Sequence, residues 1–374
     1  MRTREKSLFL LCFLAITLLT TTVAIEVNAA TKPKIVIDVS HGQGPADGDW
    51  TGNKLESLMA SFEGNLTALG LEVVWATKID EAILADAQFL FLGSVYGSSF
   101  TDAELAAIGA WFSQGEKTIW VGGDSDYGAS TIPSEMNRVL RAVGSKIRFE
   151  HTSLEDPITN CAAGYRPRAN VTNTVDAEVA GIVAGFNATQ GVLFHGPTIL
   201  YGFDNGIAVS LETTTVSNVY WVMKSGASGI IVDADPTINP PLVHEVGQQG
   251  SFVMMAVEKY VCGHGNGKVI VSGENPYGGY QPMFSSEYKG IALDGAALVM
   301  NAVDWGLNIE SLSDKMMSDL NSVESTLTAT IDAQGSEISA LTTEIEGLRT
   351  LIYVAVVIGL VGIGVGAFSI LGKR

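Results

Sequence analysis

The chain has 374 residues, with 22 Lys and Arg against 40 Asp and Glu and a formal net charge of −18. So acidic a balance argues against nucleic acid or an anionic membrane surface as a binding partner. Three cysteines and five histidines show neither CxxC nor HxxxH spacing, so no zinc site, dithiol centre or cofactor is expected.

The chain opens on Arg2, Arg4 and Lys6, followed by an apolar run from Leu8 to about Val23 and the small-residue stretch Val27-Asn28-Ala29-Ala30. Residues 1–29 therefore read as a secretory signal. Removing its three basic and two acidic residues, and the terminal Lys373-Arg374, leaves 17 basic against 38 acidic residues. Cys12 leaves with the signal, which makes Cys161 and Cys262 a candidate disulfide. Asn65-Leu-Thr67, Asn170-Val-Thr172 and Asn187-Ala-Thr189 are candidate glycosylation sequons.

From Lys34 the pattern alternates strand and helix. Lys34–Val39 is an apolar run ending in the polar loop Ser40-His41-Gly42-Gln43-Gly44, an amphipathic stretch covers Lys54–Leu69, and Leu71–Ala76 is a second strand. Gln88–Gly93 is too apolar for a strand with one wet face and suits a parallel strand covered on both sides. Thr101-Asp-Ala-Glu104 is a capping box opening a helix that stops at Gly115, and Lys117–Gly122 is the next strand, followed by a helix from about Pro133 to Val143. Links this short predict a mostly parallel, doubly wound α/β sheet.

Residues 170–260 are richer in β-formers and turns, and form either an antiparallel extension of that sheet or a small subdomain. The α/β pattern returns with Gly267–Gly273 and a helix from about Leu293 to Trp305, so residues 31–306 are expected to form one ectodomain.

After Leu307, apolar residues recur at spacings of four and three: Met316, Leu320, Val323 and Leu327, then Ile331, Gln334, Ile338, Leu341, Ile345, Leu348 and Ile352. The step from Leu327 to Ile331 is a stutter. Residues 307–350 are expected to form a coiled-coil stalk, with 312–350 reaching about 58 Å as one helix and its seam implying self-association or another partner helix, the alternative being a lone amphipathic stalk packed on its own ectodomain. Leu351–Leu371 holds 21 residues without a charge. At about 31 Å it is long enough to cross a bilayer once. With Lys373 and Arg374 in a cytoplasmic tail of residues 372–374, the ectodomain lies outside the plasma membrane.

The phrase Phe100-Thr-Asp-Ala-Glu-Leu-Ala-Ala-Ile-Gly-Ala-Trp-Phe-Ser-Gln-Gly-Glu-Lys-Thr-Ile-Trp-Val-Gly-Gly-Asp124, with Gly267–Glu274 and Val299–Trp305, resembles the class I glutamine amidotransferase-like fold. More closely it resembles the non-enzymatic DUF4350/GldG-type and intraflagellar-transport-type domains of surface proteins and of chains found near ABC transporters. The resemblance implies an amidotransferase-like head, an accessory role beside a transporter and an archaeal-type envelope. Catalytic members carry a cysteine on the turn after the central strand and a histidine after a late strand. Here those places read Gly122-Gly-Asp-Ser-Asp126 and Gly273-Glu-Asn-Pro276, so the triad is absent and no catalytic residue is assigned.

Ligands of open α/β sheets bind at the carboxyl ends of the strands. Those ends gather Asp38, Ser40 and His41, then Ser94, then Asp124, Ser125 and Asp126, then Glu274 and Asn275, as a candidate acidic crevice. Three readings of it compete. Ser125 with His41 and an acid would make a serine hydrolase, although two flanking carboxylates disfavour an alkoxide. Asp47-Gly-Asp49 and Asp124-Ser-Asp126 are short oxygen-ligand pairs for Ca²⁺ or Mg²⁺, neither completing a known loop. Otherwise Asp124 and Asp126 are turn and helix-cap residues, the bland reading and the favoured one, so no metal is assigned. His195-Gly-Pro197 is turn chemistry with room for site membership, while Tyr277 and Tyr280 either form a contact surface or pack over a sheet edge. The expected function is a non-catalytic, membrane-anchored surface protein whose head binds a partner protein, such as a transporter subunit, or a small ligand. The alternatives are a surface hydrolase and a structural envelope-lattice protein.

Overall fold

A computed structural model describes residues 32–43, 54–128, 130–237, 239–261, 263–278 and 283–371. The signal, Asp47, Asp49, Cys262, Tyr280 and the terminal 372–374 tail lie outside the described residues. The chain divides into two compact units, one running to Leu307 and one from Asn308.

The first unit is built on an eight-stranded sheet. Its strands are β1 (Lys34–Asp38), β2 (Glu72–Ala76), β3 (Ala87–Leu92), β4 (Thr118–Gly122), β5 (Val171–Thr172), β6 (Val219–Lys224), β7 (Val253–Lys259) and β8 (Lys268–Ser272). The spatial order is β2-β1-β3-β4-β8-β7-β6-β5. The first five are parallel, with β8 beside β4 in the register Lys268 to Thr118 through Ser272 to Gly122. The last three are antiparallel additions to that edge. The β-rich stretch thus supplies both expected outcomes. It extends the sheet and also builds two three-stranded sheets, Ile147–Phe149 with Leu200–Asp204 and Ile207–Val209, and Ser153–Glu155 with Gly229–Val232 and Gln249–Gly250.

Helices cover both faces, which is why β1, β3 and β4 read as unbroken apolar runs. Alternate strand residues Val36, Leu90, Leu92, Ile119 and Val121 pack with Trp111 and Phe112 of α3 (Asp102–Phe112) and Met136 and Leu140 of α4 (Ile132–Ala142). The residues between them point the other way. Phe89, Phe91 and Trp120 stack in a row at 4.5 and 5.5 Å between ring centres, and Phe62 of α1 (Lys54–Ala68) packs on Phe91 at 5.5 Å. A short α2 (Glu81–Leu84) links β2 to β3, and α5 (Gly295–Leu307) lies on the Phe89 side. There Gly306 is close enough to Phe89 that a Cβ would sit 2.7 Å from the ring.

The capping box forms as predicted: Thr101 Oγ1 accepts from Glu104 N at 3.2 Å and Glu104 Oε2 accepts from Thr101 N at 2.8 Å. Cys161 is fully buried beside Leu193 and carries a free thiol.

The second unit is a single helix, α6 (Ile309–Leu371), of 63 residues. Within Leu320–Ile363 it contains an 18-residue stretch, of mean hydropathy 1.8, long and apolar enough to cross a membrane. Asn308, in the left-handed region at φ 52°, interrupts the helix between α5 and α6.

Candidate functional site

The carboxyl ends of β1, β3, β4 and β8 bring Asp38, Ser40, His41, Ser94, Asp124, Glu274 and Asn275 together in two hydrogen-bonded clusters, while the side chains of Ser125 and Asp126 are engaged elsewhere. In the first, Asp38 is fully buried. Its Oδ1 accepts from Ser40 N at 2.9 Å and Ser40 Oγ at 2.6 Å, and its Oδ2 meets His41 Nδ1 at 2.7 Å and Gln43 Nε2 at 3.1 Å. His41 Nε2 lies 3.5 Å from Glu104 Oε1, so the carboxylate that caps α3 also serves the imidazole. Burial opposes charge on His41, but Asp38 and Glu104 outweigh it and raise its pKa. The imidazole thus bridges two carboxylates with both ring nitrogens.

The second cluster centres on Asp124. Tyr96 donates to its Oδ2 at 2.7 Å and Ser125 N to its Oδ1 at 2.7 Å. Asn275 Nδ2 donates to Tyr96 Oη at 3.0 Å, while its Oδ1 accepts from Ser94 N at 2.5 Å. Glu274 is buried and takes the backbone N–H groups of Asn275 and His195 at 2.7 and 2.6 Å. Tyr96 joins the clusters, since its own N–H donates to His41 O at 3.0 Å.

The late loop enters this space because the strand ends have no side chains to exclude it. A Cβ on Gly122 would lie 2.9 Å from Asn275 Oδ1, and one on Gly123 would lie 2.5 Å from the Phe149 ring. Tyr277 then reaches deepest, donating to Asp38 O at 2.5 Å and accepting from Gly93 N at 2.9 Å. Tyr277 is fully buried and edge-on to Phe91, which corrects the contact-surface reading of that tyrosine. Its hydroxyl pairs two backbone groups that burial would otherwise leave unsatisfied.

Asp124 and Glu274 are close enough to influence each other. Burial pushes the Asp124 carboxyl up to about 7 against the hydrogen bonds from Tyr96 and Ser125. Burial, then the charge of Asp124, pushes Glu274 well above the usual carboxylate range. The two carboxyls therefore titrate as a linked pair, each holding its proton to higher pH than an exposed acid does. His195 goes the other way, to about 4, through burial and the neighbouring Arg166. Asp126 is buried against residues 233–235, and burial, then Asp233, raises its pKa. Its expected place as a helix cap is corrected: α4 is preceded by Thr131, with no side-chain cap. Asp124 does hold its own turn.

The serine-hydrolase reading needs Ser125 beside His41. Instead Ser125 Oγ accepts from Tyr127 N at 3.3 Å, and both ring nitrogens of His41 face carboxylates. Ser40 approaches His41 at 3.0 Å, but on the Nδ1 side already taken by Asp38, and its hydroxyl donates to that acid. Among the described residues no group of three His, Cys, Asp or Glu is arranged to hold a metal ion. Of the sequons, Asn65 is exposed on α1, Asn170 is half-buried between short strands, and Asn187 is exposed in a turn where Thr189 N and Oγ1 donate to its Oδ1.

The strand-end pattern of the sequence does not mark Tyr96, Gln43 or Glu104 as site residues. Tyr96 stands four residues past the end of β3, where a site residue belongs, and Glu104 was already visible as the capping acid.

No family model matches the chain, and no curated protein matches it in sequence. Among solved structures, the mmIFT52 N-terminal domain is similar with a TM-score of 0.45 and 13% identity, covering 73% of this chain and 96% of that one. A ThuA-like protein from Bacteroides uniformis is similar with a TM-score of 0.38 and 12% identity, covering 75% and 94%. Both likenesses are distant. The protein is an α/β protein with a mostly parallel sheet, β-rich insertions and a long, apolar C-terminal helix.

Proposed function

We infer that this is a membrane-anchored surface protein whose amidotransferase-like head, facing outward, acts by binding a partner protein or small ligand rather than by catalysis. The observation that carries the reading is the use already made of the crevice. Asp38, Ser40, His41, Asn275 and Tyr277 bond one another or the strand ends, and the loop after β8 occupies the space where an open α/β sheet takes its ligand. A nucleophile–base pair needs two groups within hydrogen-bond reach, and Ser125 and His41 are each engaged elsewhere. Anchoring by Leu351–Leu371 is supported by the uncharged apolar stretch at the end of α6.

The test is enzymatic. Purified protein is offered a panel of amides and esters, with Ser125→Ala and His41→Ala as controls. Turnover at background level in all three is expected, and robust hydrolysis lost in either variant would overturn the reading. One observation favours the hydrolase alternative: Asp124, with its pKa near 7, can exchange a proton at neutral pH. Asp124→Asn therefore belongs in the same panel. Gentle solubilisation from the native membrane, with identification of stoichiometric companions such as transporter subunits, then tests the binding role directly.

A further inference from the structure

The described residues 320–363 of α6 are exposed on every side, and one stripe of its stalk half has a definite grammar. Counting heptads from Ile331 places Ile331, Ile338, Ile345 and Ile352 at a, and Gln334, Leu341 and Leu348 at d. The apolar members are all about half exposed, from Leu341 at 47% to Ile352 at 62%. Branched Ile at every a and Leu at d is the combination that favours two parallel strands over three or four. A single polar Gln334 at d is satisfied best by the same residue of an in-register partner, which penalises slipped alignments.

Charge points the same way. Arg349 is the sole basic residue between Lys315 and Lys373, and among the described residues no ion pair engages it. It falls at e, and Glu344 at the preceding g. In a parallel, in-register pair, g of one helix meets the following e of its partner, so Glu344 of each copy faces Arg349 of the other. An antiparallel pair would instead set the g carboxylates Glu337 and Glu344 against each other.

The same count continues without a break into the apolar segment and lands on Ala355, Gly359, Gly362 and Gly366. The seam thus changes from large to small residues where the uncharged stretch begins. That is the change of solvent expected of one continuous interface. Water drives large apolar side chains together. In lipid that drive is absent, and association relies on close backbone approach over small residues. We propose that a second copy of this chain occupies the face, forming a parallel, in-register two-stranded coil that runs from Ile331 through the membrane segment. Its lower half rests on the reading of Leu351–Leu371 as the anchor.

The test is disulfide crosslinking of the full chain in its membrane, with single cysteines introduced at Ile338, Leu341 and Ile345, and at Ser336 and Thr343 on the opposite face. Each seam cysteine is expected to link to itself and give a dimer only, with the two outer positions unlinked. Equal linking on both faces, no linking, or species larger than a dimer would overturn the proposal, because self-linking at successive seam positions requires a parallel, in-register pair. Arg349→Glu should lower the dimer yield severalfold and Glu344→Arg in the same chain restore it; absence of rescue would remove the charge pairing. In detergent, Gly359→Leu and Gly362→Leu should weaken the dimer severalfold while Val361→Leu does not. Unchanged tryptophan emission controls for the head, since all six tryptophans precede Leu307. Carbonate extraction reports on anchoring separately. A chain that leaves the membrane yet crosslinks along the seam would sink the anchor while keeping the stalk dimer.

Discussion

His244 is the most exposed point of the head's electrostatics to a simple experiment. It is buried between Glu150, which its Nδ1 contacts, and Glu212 Oε2, 3.1 Å from its Nε2. Glu150 Oε1 also accepts the backbone N–H groups of Leu242, Val243 and His244, so this one side chain ties the 242–244 segment to the strand bearing Phe149. Burial works against the imidazolium, yet the hydrogen bonds and charges of the two glutamates raise its pKa from 6.5 to about 9. Such a rise corresponds to roughly 3 kcal/mol of preference for the folded state. Its sign is definite. The stabilisation is present in full below pH 6.5, falls as pH rises, and is gone above about 9. Removing the ring also leaves Glu150 buried without its counter-charge, a change that costs about 3–5 kcal/mol in comparable sites. The assay is urea unfolding of the intact protein in detergent, followed by tryptophan emission. His244→Ala should be destabilised by several kcal/mol at pH 6, with the gap to the parent narrowing markedly by pH 9.5. A gap that stays constant across that range, or one below about 0.5 kcal/mol at pH 6, would refute the reasoning.

Other perturbations probe the crevice. Asp124→Asn removes a carboxyl whose pKa is raised from 3.8 to about 7; the parent loses stability as pH rises between those values, so the variant's advantage should grow from about pH 4 to pH 7 and hold above, as thermal melts at pH 4 and 8 would reveal. Infrared difference spectra should show the protonated-carboxyl band of Glu274 persisting to higher pH than that of a solvent-exposed glutamate, and its loss at the ordinary pH of a free carboxyl would contradict the assignment. Tyr277→Phe leaves the buried Gly93 N–H without its acceptor and should cost about 1–3 kcal/mol in the same urea assay. Gly123→Ala places a methyl against the Phe149 ring and should destabilise by about 1–3 kcal/mol, whereas Gly70→Ala, with open space around it but a left-handed backbone, should lose only the smaller conformational term.

The parallel half of the sheet was legible because its signals are local. Unbroken apolar runs at β1, β3 and β4, a capping box at Thr101 and short links leave few alternatives to a covered parallel sheet. The long C-terminal helix was legible for the same reason: heptad spacing is a property of consecutive residues. The site was legible only as a set of addresses. That Asp38, Asp124 and Glu274 stand at strand ends follows from the strand pattern, and their being brought near one another follows from strand order. Whether those groups face an open cleft or one another depends on contacts across large separations, such as Tyr277 with Asp38 and Asn275 with Ser94. No periodicity records such contacts. The sequence leaves Tyr277 open between a contact surface and packing over a sheet edge, because its neighbours Pro276, Gly278 and Asn275 signal only a turn. Tyr277 is buried because Gly93 and Gly122 leave the strand ends bare, a Cβ on Gly93 falling 3.4 Å from its ring and one on Gly122 meeting Asn275 and Pro276 of its loop.

By itself, then, the sequence determined where apolar surface must be covered, where helices begin, and where a long helix presents a seam. These follow from side-chain order and backbone geometry within a turn or two. Tertiary structure alone decided that the β-rich stretch splits between a sheet extension and two smaller sheets, that His244 is gripped by two glutamates, and that the loop after β8 enters the carboxyl-end space. Each of those outcomes is a pairing between distant segments, set by which polar groups remain to be satisfied once the core has closed.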